Sequence, residues 1–189
     1  RLPSTFDLTD HLRAGANDLA VVVPQWSDAS WIEDQDQWWL PGLHRDVELW
    51  SVPATWLADA AVVPDLDLVT GEGVLRVDAT VAGAPDGGEG LTVEVDVLDG
   101  RGRRVGGLAA TDVPAFEHGH AAIGAYLWPG PRVRAEVRVP AVRPWSHEDP
   151  HRYRAVVVLR HHGEVVDVRA HSIGFRHVEV ADRQLRING

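Results

Sequence analysis

Between Trp26 and Trp50 the chain reads WSDASWIEDQDQWWLPGLHRDVELW, a segment in which carboxylates are interleaved with five tryptophans beside a Pro-Gly turn. Indole faces stack on the apolar C–H faces of sugar rings, and carboxylates accept hydrogen bonds from sugar hydroxyls, so this mixture suits carbohydrate. The same composition also fits a tryptophan-rich sandwich edge whose acids are simply solvated, because large aromatics are mostly core. Arg45 and Asp46 offer binding groups, although an Arg-Asp pair beside a turn commonly fixes loop geometry through a bidentate ion pair. Chemistry elsewhere is sparse. His118 and His120 flank Gly119, and His161 adjoins His162, but the chain has no cysteine and neither pair has the spacing of a zinc site. Loop histidines are expected. No G-x-S-x-G or GK[ST] motif is present, so no independent catalytic constellation is found.

The elements that must position these residues read as strands. Leu75, Val77, Ala79 and Val81 alternate with Arg76, Asp78 and Thr80, and Leu91, Val93, Val95 and Val97 repeat the pattern after a GAPDGGEG hairpin loop. Val133, Ala135, Val137 and Val139 form another inward face, as do Tyr153, Ala155, Val157 and Leu159. After a His162-Gly163 turn, Val166, Val168 and Ala170 are expected to supply the returning inner face. Ala60–Val63 and weaker runs at Val105–Ala110 and Ala121–Leu127 bring the total to about seven strands, the pattern of an immunoglobulin-like sandwich. The first 56 residues differ: they hold six of the eight tryptophans, a helical turn over Asp7–Arg13, and expected strands at Leu19–Val23 and Asp46–Val52. Two or three strands are too few to bury themselves, so this region reads as the tail of a sandwich whose other strands lie elsewhere.

Composition narrows the function class. The 189 residues carry 44% hydrophobic and 24% charged side chains, within the range of folded globular chains. A formal net charge of -10 with no basic stripe argues against nucleic acid. The longest apolar stretch, Leu19–Pro24, is far shorter than the roughly 20 residues that cross a bilayer, and no signal peptide opens the chain. No membrane partner and a cytoplasmic location are expected. Without cysteine no disulfide can form. Without methionine the sequence reads as a segment excised from a longer chain.

Several motifs occur in a fixed order: FDLTDHL (Phe6–Leu12), N-x-LAV (Asn17–Val21), WSD (Trp26–Asp28), EDQD-x-W (Glu33–Trp38) and G-x-x-RDV (Gly42–Val47). This set resembles the end of the sugar-binding domain of β-galactosidases in glycoside hydrolase family 2. PWS (Pro144–Ser146), P-x-x-YRAVV (Pro150–Val157) and GFR-x-V (Gly174–Val178) resemble the immunoglobulin-like domain that leads into the family's catalytic barrel. RQLRING (Arg183–Gly189) resembles the lead-in strand to that barrel.

The resemblance implies an all-β fold: an immunoglobulin-like β-sandwich preceded by the C-terminal part of a jelly-roll-like sugar-binding sandwich. Residues 1–56 would be that C-terminal part, 57–181 the immunoglobulin-like domain, and 182–189 the lead-in. Retaining glycosidases need two carboxyl groups about 5–5.5 Å apart, and in this family both are glutamates on the barrel. No catalytic residue is therefore assigned here, and the chain alone is expected to be inactive. Asp36, the last carboxylate of EDQD, matches the aspartate that holds the galactose 6-hydroxyl together with a sodium ion. Sodium and magnesium are implied for the parent and no cofactor for the chain alone. The implied partners are a galactoside, met through the parent active site, and the catalytic barrel. Unpaired strand edges in the first 56 residues would also invite a second copy or leave that region poorly ordered. Gln37, Trp39 and Pro41 depart from the family's pattern. Two other readings remain open at this level, a stand-alone carbohydrate-binding module and a structural spacer.

Overall fold

A computed structural model describes residues 4–32, 42–43, 45–84, 88–114 and 131–189. The chain divides into two compact units, Arg1–Trp50 and Ser51–Gly189.

Among its described residues the second unit has nine strands, each paired antiparallel to its neighbours. In chain order they are β1 (Trp56–Leu66), β2 (Gly73–Ala82), β3 (Leu91–Leu98), β4 (Arg104–Asp112), β5 (Arg132–Val139), β6 (Tyr153–His161), β7 (Glu164–Ile173), β8 (Val178–Ala181) and β9 (Gln184–Ile187). A three-stranded sheet, β1-β2-β5, faces a four-stranded sheet, β4-β3-β6-β7, and β8-β9 form a separate hairpin. The expected all-β, immunoglobulin-like architecture is present. The expected strand at Ala121–Leu127 lies outside the described residues.

Alternation decides which side chains face inward. Leu75, Val77, Ala79 and Val81 from β2 meet Leu91, Val93, Val95 and Val97 from β3 and Ala155, Val157 and Leu159 from β6, all of them buried. Outward residues of the first sheet pair as ions: Arg132 and Arg134 of β5 both reach Asp78 of β2, and Arg138 reaches Glu72 just before β2 and Glu136 on its own strand. Turn chemistry fixes the connections. Asp67 Oδ1 accepts the Val69 and Thr70 N–H groups between β1 and β2. Asp99 accepts the Arg103 and Arg101 N–H groups between β3 and β4. The Arg103 amide and guanidinium, with the Arg101 amide, hold the Asp99 carboxyl down at about 2.

The last strand of the four-stranded sheet corrects the sequence expectation. Val166 packs against the core, but Val168 is 45% exposed and Ala170 also faces solvent. A bulge shifts the β6–β7 register between Leu159 and Arg160, so that Leu159 faces Asp167, Val157 faces Arg169 and Ala155 faces His171. One extra residue reverses every side chain beyond it. Polar groups therefore point toward β1 and find work there. Asp167 Oδ2 accepts the Leu57 N–H at 2.9 Å, and Arg169 Nη2 donates to the Leu57 carbonyl at 3.4 Å.

Tyr153 opens β6 and its hydroxyl accepts the Arg143 N–H at 2.9 Å, tying the β5–β6 connection to the sandwich. A tyrosine bonded to backbone upstream of this strand recurs in immunoglobulin-like domains. Tyr153→Phe leaves that half-buried amide without a partner and is expected to lower stability by about 1–3 kcal/mol. Urea denaturation checks it, and a change below about 0.5 kcal/mol would show the bond to be dispensable.

The first unit forms fewer elements than expected. A 3-10 turn at Thr9–His11 sits within the expected helical turn, with Asp7 Oδ1 accepting the Thr9 N–H. Asn17 closes the next turn by bonding both the N–H and the carbonyl of Arg13. The expected strands at Leu19–Val23 and Asp46–Val52 do not form: these residues are non-regular and exposed, Val22 at 86% and Leu49 at 76%. A strand exists by hydrogen bonding to a neighbour, and no neighbouring strand is present among the described residues of this unit. No helix among the described residues is long and apolar enough to cross a membrane.

Candidate functional site

Asp36 lies outside the described residues, as do Glu33, Asp34, Gln37, Trp38, Trp39 and Pro41. The flanks of the acidic segment are described. A single helical turn, α1 (Asp28–Ile32), opens with Ser30 Oγ bonded to Gln25 O and the Ser27 N–H. This turn brings the Trp31 ring to 6.1 Å from the Trp26 ring at an interplanar angle of 31°. Trp31 is 73% exposed, so a broad aromatic face is open to solvent. Trp50 Nε1 donates to Glu48 Oε2 at 2.7 Å, orienting a second exposed indole beside a carboxylate. Stacking surface and hydrogen-bond acceptors are what a sugar ring and its hydroxyls use. Arg45 and Asp46 are exposed, and no ion pair joins them among the described residues, which corrects the expected loop-fixing pair. In open solvent such a pair gains little over separate hydration.

A second arrangement lies in the sandwich unit. A cleft of about 720 Å³ runs between Val62–Asp65 of β1 and the His171–Val178 segment. His177 Nδ1 lies 2.9 Å from Asp65 Oδ1. Burial alone would raise the Asp65 carboxyl, but hydrogen bonds from His177 and the Leu66 N–H outweigh it, and the carboxyl stays below its ordinary value. Arg76 approaches Asp65 at 3.9 Å and Glu136 at 3.8 Å. The Arg176 guanidinium lies 4.5 Å from the centre of the Trp145 ring. Arg152 and Arg176 line the cleft with no carboxylate partner among the described residues. His171 Nε2 is buried there with no hydrogen-bond partner among them.

Sequence reasoning missed this cleft, although it singled out the motifs that build it. PWS and GFR-x-V meet in space: Trp145 donates its N–H to the Phe175 carbonyl at 2.8 Å. The ring packs so tightly on Gly174 that a Cβ there would sit 2.8 Å from Trp145 Cδ1. Their separation along the chain hid the contact, and the bulge that turns His171 inward leaves no local mark. His161 and His162, set aside as loop residues, have ring centres 4.3 Å apart at the β6–β7 turn. His118 and His120 lie outside the described residues. Among the described residues no three His, Asp or Glu side chains converge to hold a metal ion.

Comparison with known proteins places these features. Residues 1–53 match the model of the glycosyl hydrolases family 2 sugar binding domain, and residues 55–176 match that of glycosyl hydrolases family 2. The beta-galactosidase of Klebsiella pneumoniae (strain 342) is 40% identical over 190 residues, covering 100% of this chain and 18% of that protein. The beta-galactosidase of Vibrio vulnificus (strain CMCP6) is 38% identical over 191 residues with the same coverage. The chain thus spans about 18% of the length of these curated relatives. Among solved structures, a glycosyl hydrolase family 2 member from Bacteroides cellulosilyticus DSM 14838 is similar with a TM-score of 0.59 at 17% identity, over 73% of this chain and 18% of that one. A beta-glucuronidase of Bifidobacterium dentium gives 0.55 at 23% identity, over 72% and 20%. These two likenesses concern the fold.

Proposed function

The chain belongs to glycosyl hydrolases family 2, and we propose that it is a non-catalytic part of a β-galactosidase, supplying one sugar-contacting carboxylate and a structural spacer to the active site of its parent. The observation that carries this reading is the identity of 40% over the whole chain to a beta-galactosidase of which it spans 18%. Residues 1–56 are the end of the sugar-binding sandwich, 57–181 the immunoglobulin-like domain and 182–189 the lead-in to a barrel bearing the two glutamates. The parent hydrolyses terminal β-galactosides, and the chain alone, lacking those glutamates, turns over nothing.

Asp36 is the residue assigned to the substrate, in the parent only. There it accepts a hydrogen bond from the sugar and offers one oxygen to a sodium ion. A sodium ion needs several oxygen ligands, so the remaining ones belong to the parent, for which magnesium is implied as well. The exposed indoles of Trp26, Trp31 and Trp50 favour carbohydrate in the vicinity. Exposed apolar residues of the first unit, Val22 and Leu49 among them, suit contact with the rest of the parent or, in the isolated chain, with a second copy.

Isothermal titration of the isolated chain with a β-galactoside, beside the intact parent, tests this. No saturable binding up to millimolar galactoside is expected for the chain, and binding with turnover for the parent. Micromolar binding by the chain alone would instead make it a self-sufficient carbohydrate-binding module. A parent with no barrel segment after Gly189 would end the galactosidase reading.

A further inference from the structure

The chain contains two asparagines, Asn17 and Asn188, and they stand in opposite chemical settings. Asn17 is followed by Asp18, whose side chain crowds the next peptide nitrogen, whereas Asn188 is followed by Gly189, which has no Cβ to obstruct it. A peptide nitrogen that follows asparagine can attack the side-chain amide carbon when nothing shields either atom, so an Asn-Gly pair is the most open case of this chemistry. The turn after β9 nevertheless calls for this pair. Asn188 has φ 61° and Gly189 φ 97°, left-handed conformations that these two residue types accept best.

Hydrogen bonds guard the reactive amide. Asn188 Oδ1 accepts the His177 N–H at 2.9 Å and its Nδ2 donates to the Trp145 carbonyl at 3.0 Å, while its own N–H donates to the His177 carbonyl at 2.9 Å. Those anchors are secured in turn: His177 Nδ1 lies 2.9 Å from Asp65 Oδ1 on β1, and the Trp145 N–H donates to the Phe175 carbonyl at 2.8 Å. With both ends of the amide bonded, the side chain is not free to swing onto the Gly189 nitrogen. The guard is only as durable as the hairpin it ties down. β8 and β9 have four residues each and form a sheet of two strands, with Val178, Val180 and Leu185 exposed. Such a hairpin is marginal in water and opens far more often than a sandwich core. Asn188 is only half-buried, so water reaches it.

We propose that Asn188-Gly189 is a deamidation site gated by this clasp, and that its conversion permanently unfastens the β8–β9 hairpin from the sandwich. When the hairpin opens, the Gly189 nitrogen adds to the Asn188 side-chain carbon, its proton passes to hydroxide and ammonia leaves, closing a cyclic imide. Water then opens the ring at either carbonyl, giving aspartate or an isoaspartate link that runs through the former side chain. One water is consumed and one ammonia released, with no oxidant or reductant. In the aspartate product an ionised oxygen replaces the Nδ2 donor and faces the Trp145 carbonyl, so a hydrogen bond becomes a repulsion. In the isoaspartate product the main chain gains a methylene and the clasping groups lose their register.

The test incubates the 189-residue chain at mildly alkaline pH, folded and in urea, and follows the amide-to-acid mass gain at each asparagine by peptide mass spectrometry. Asn188 is expected to convert measurably in the folded chain and on the order of tenfold faster in urea, the ratio reporting how rarely the hairpin opens. Asn17 should convert more slowly than Asn188 in urea. Asp65→Ala, which removes the His177 anchor, should speed conversion of Asn188 in the folded chain several-fold, and Asp65→Asn gives the same direction if the alanine variant fails to fold. Asn188→Asp stands in for the product: amide hydrogen exchange over residues 178–187 should be about tenfold faster than in the unmodified chain, with β3 and β6 unchanged. Equal conversion in the folded and unfolded chain, or none in the folded chain over several weeks, overturns the gated site. Unchanged exchange in Asn188→Asp overturns the unfastening.

Discussion

Exchanging Asp36 for alanine in the intact parent is expected to lower kcat/KM for a β-galactoside by roughly 10- to 100-fold, the loss that goes with a hydrogen bond made by a charged group in a desolvated site. Much of that loss should appear in kcat, because a contact that orients the ring is used more fully at the transition state than in the ground state. Asp36→Asn keeps the shape and one acceptor oxygen but not the charge, so it should fall between the two and need more sodium to reach its own maximum. Steady-state kinetics at graded sodium concentrations measure both effects. Turnover unchanged in the alanine variant would return the whole acidic segment to a spacer role.

Phe175→Ala is the second large effect, this time on stability. Phe175 is 0% exposed and its ring meets Tyr153 edge-on at 5.3 Å. On another side it fills the space left by Gly73, where an added Cβ would lie 2.7 Å from Phe175 Cδ1. The ring thus bridges the start of β2, the start of β6 and the exit from β7. Truncation should cost about 3–5 kcal/mol, a large part of the 5–15 kcal/mol that holds a typical domain together. Urea denaturation of the chain would show this as a midpoint shift, or as loss of the transition. A cost below about 1 kcal/mol would mean that the two sheets close over the gap.

The inward faces of β2, β3, β5 and β6 were legible because each strand has a solvated side, and a clean two-residue period survives in its composition. Val168 and Ala170 misled for the same reason: they continue the period correctly, but a bulge at Leu159 and Arg160 intervenes, and a bulge has no fixed residue signature. Leu19–Val23 and Asp46–Val52 carry strand-forming side chains, yet local preference is overridden where no ladder is available. The candidate sugar contact was readable only through the ordered motifs around EDQD, since nothing in the composition separates Asp36 from Asp34. Arg152, His171 and Arg176 gather where the start of β6 meets the end of β7, and the bulge that sets the facing of His171 is not written in the local sequence.

The polar seam between β1 and β7 also bears on how open the rim of the three-stranded sheet is. An outermost strand offers bare amides and carbonyls on which a foreign polypeptide can extend a sheet, and many proteins guard such rims with lysine. This sequence contains no lysine at all. Its guard on β1 is of another kind: Pro64 has no amide to offer, while the amide and carbonyl of Leu57 are already taken by Asp167 and Arg169 reaching across from the opposite layer. The slip in register that defeats a simple reading of β7 is what supplies those two side chains, so an apparent irregularity in the pattern leaves fewer free backbone groups on that rim.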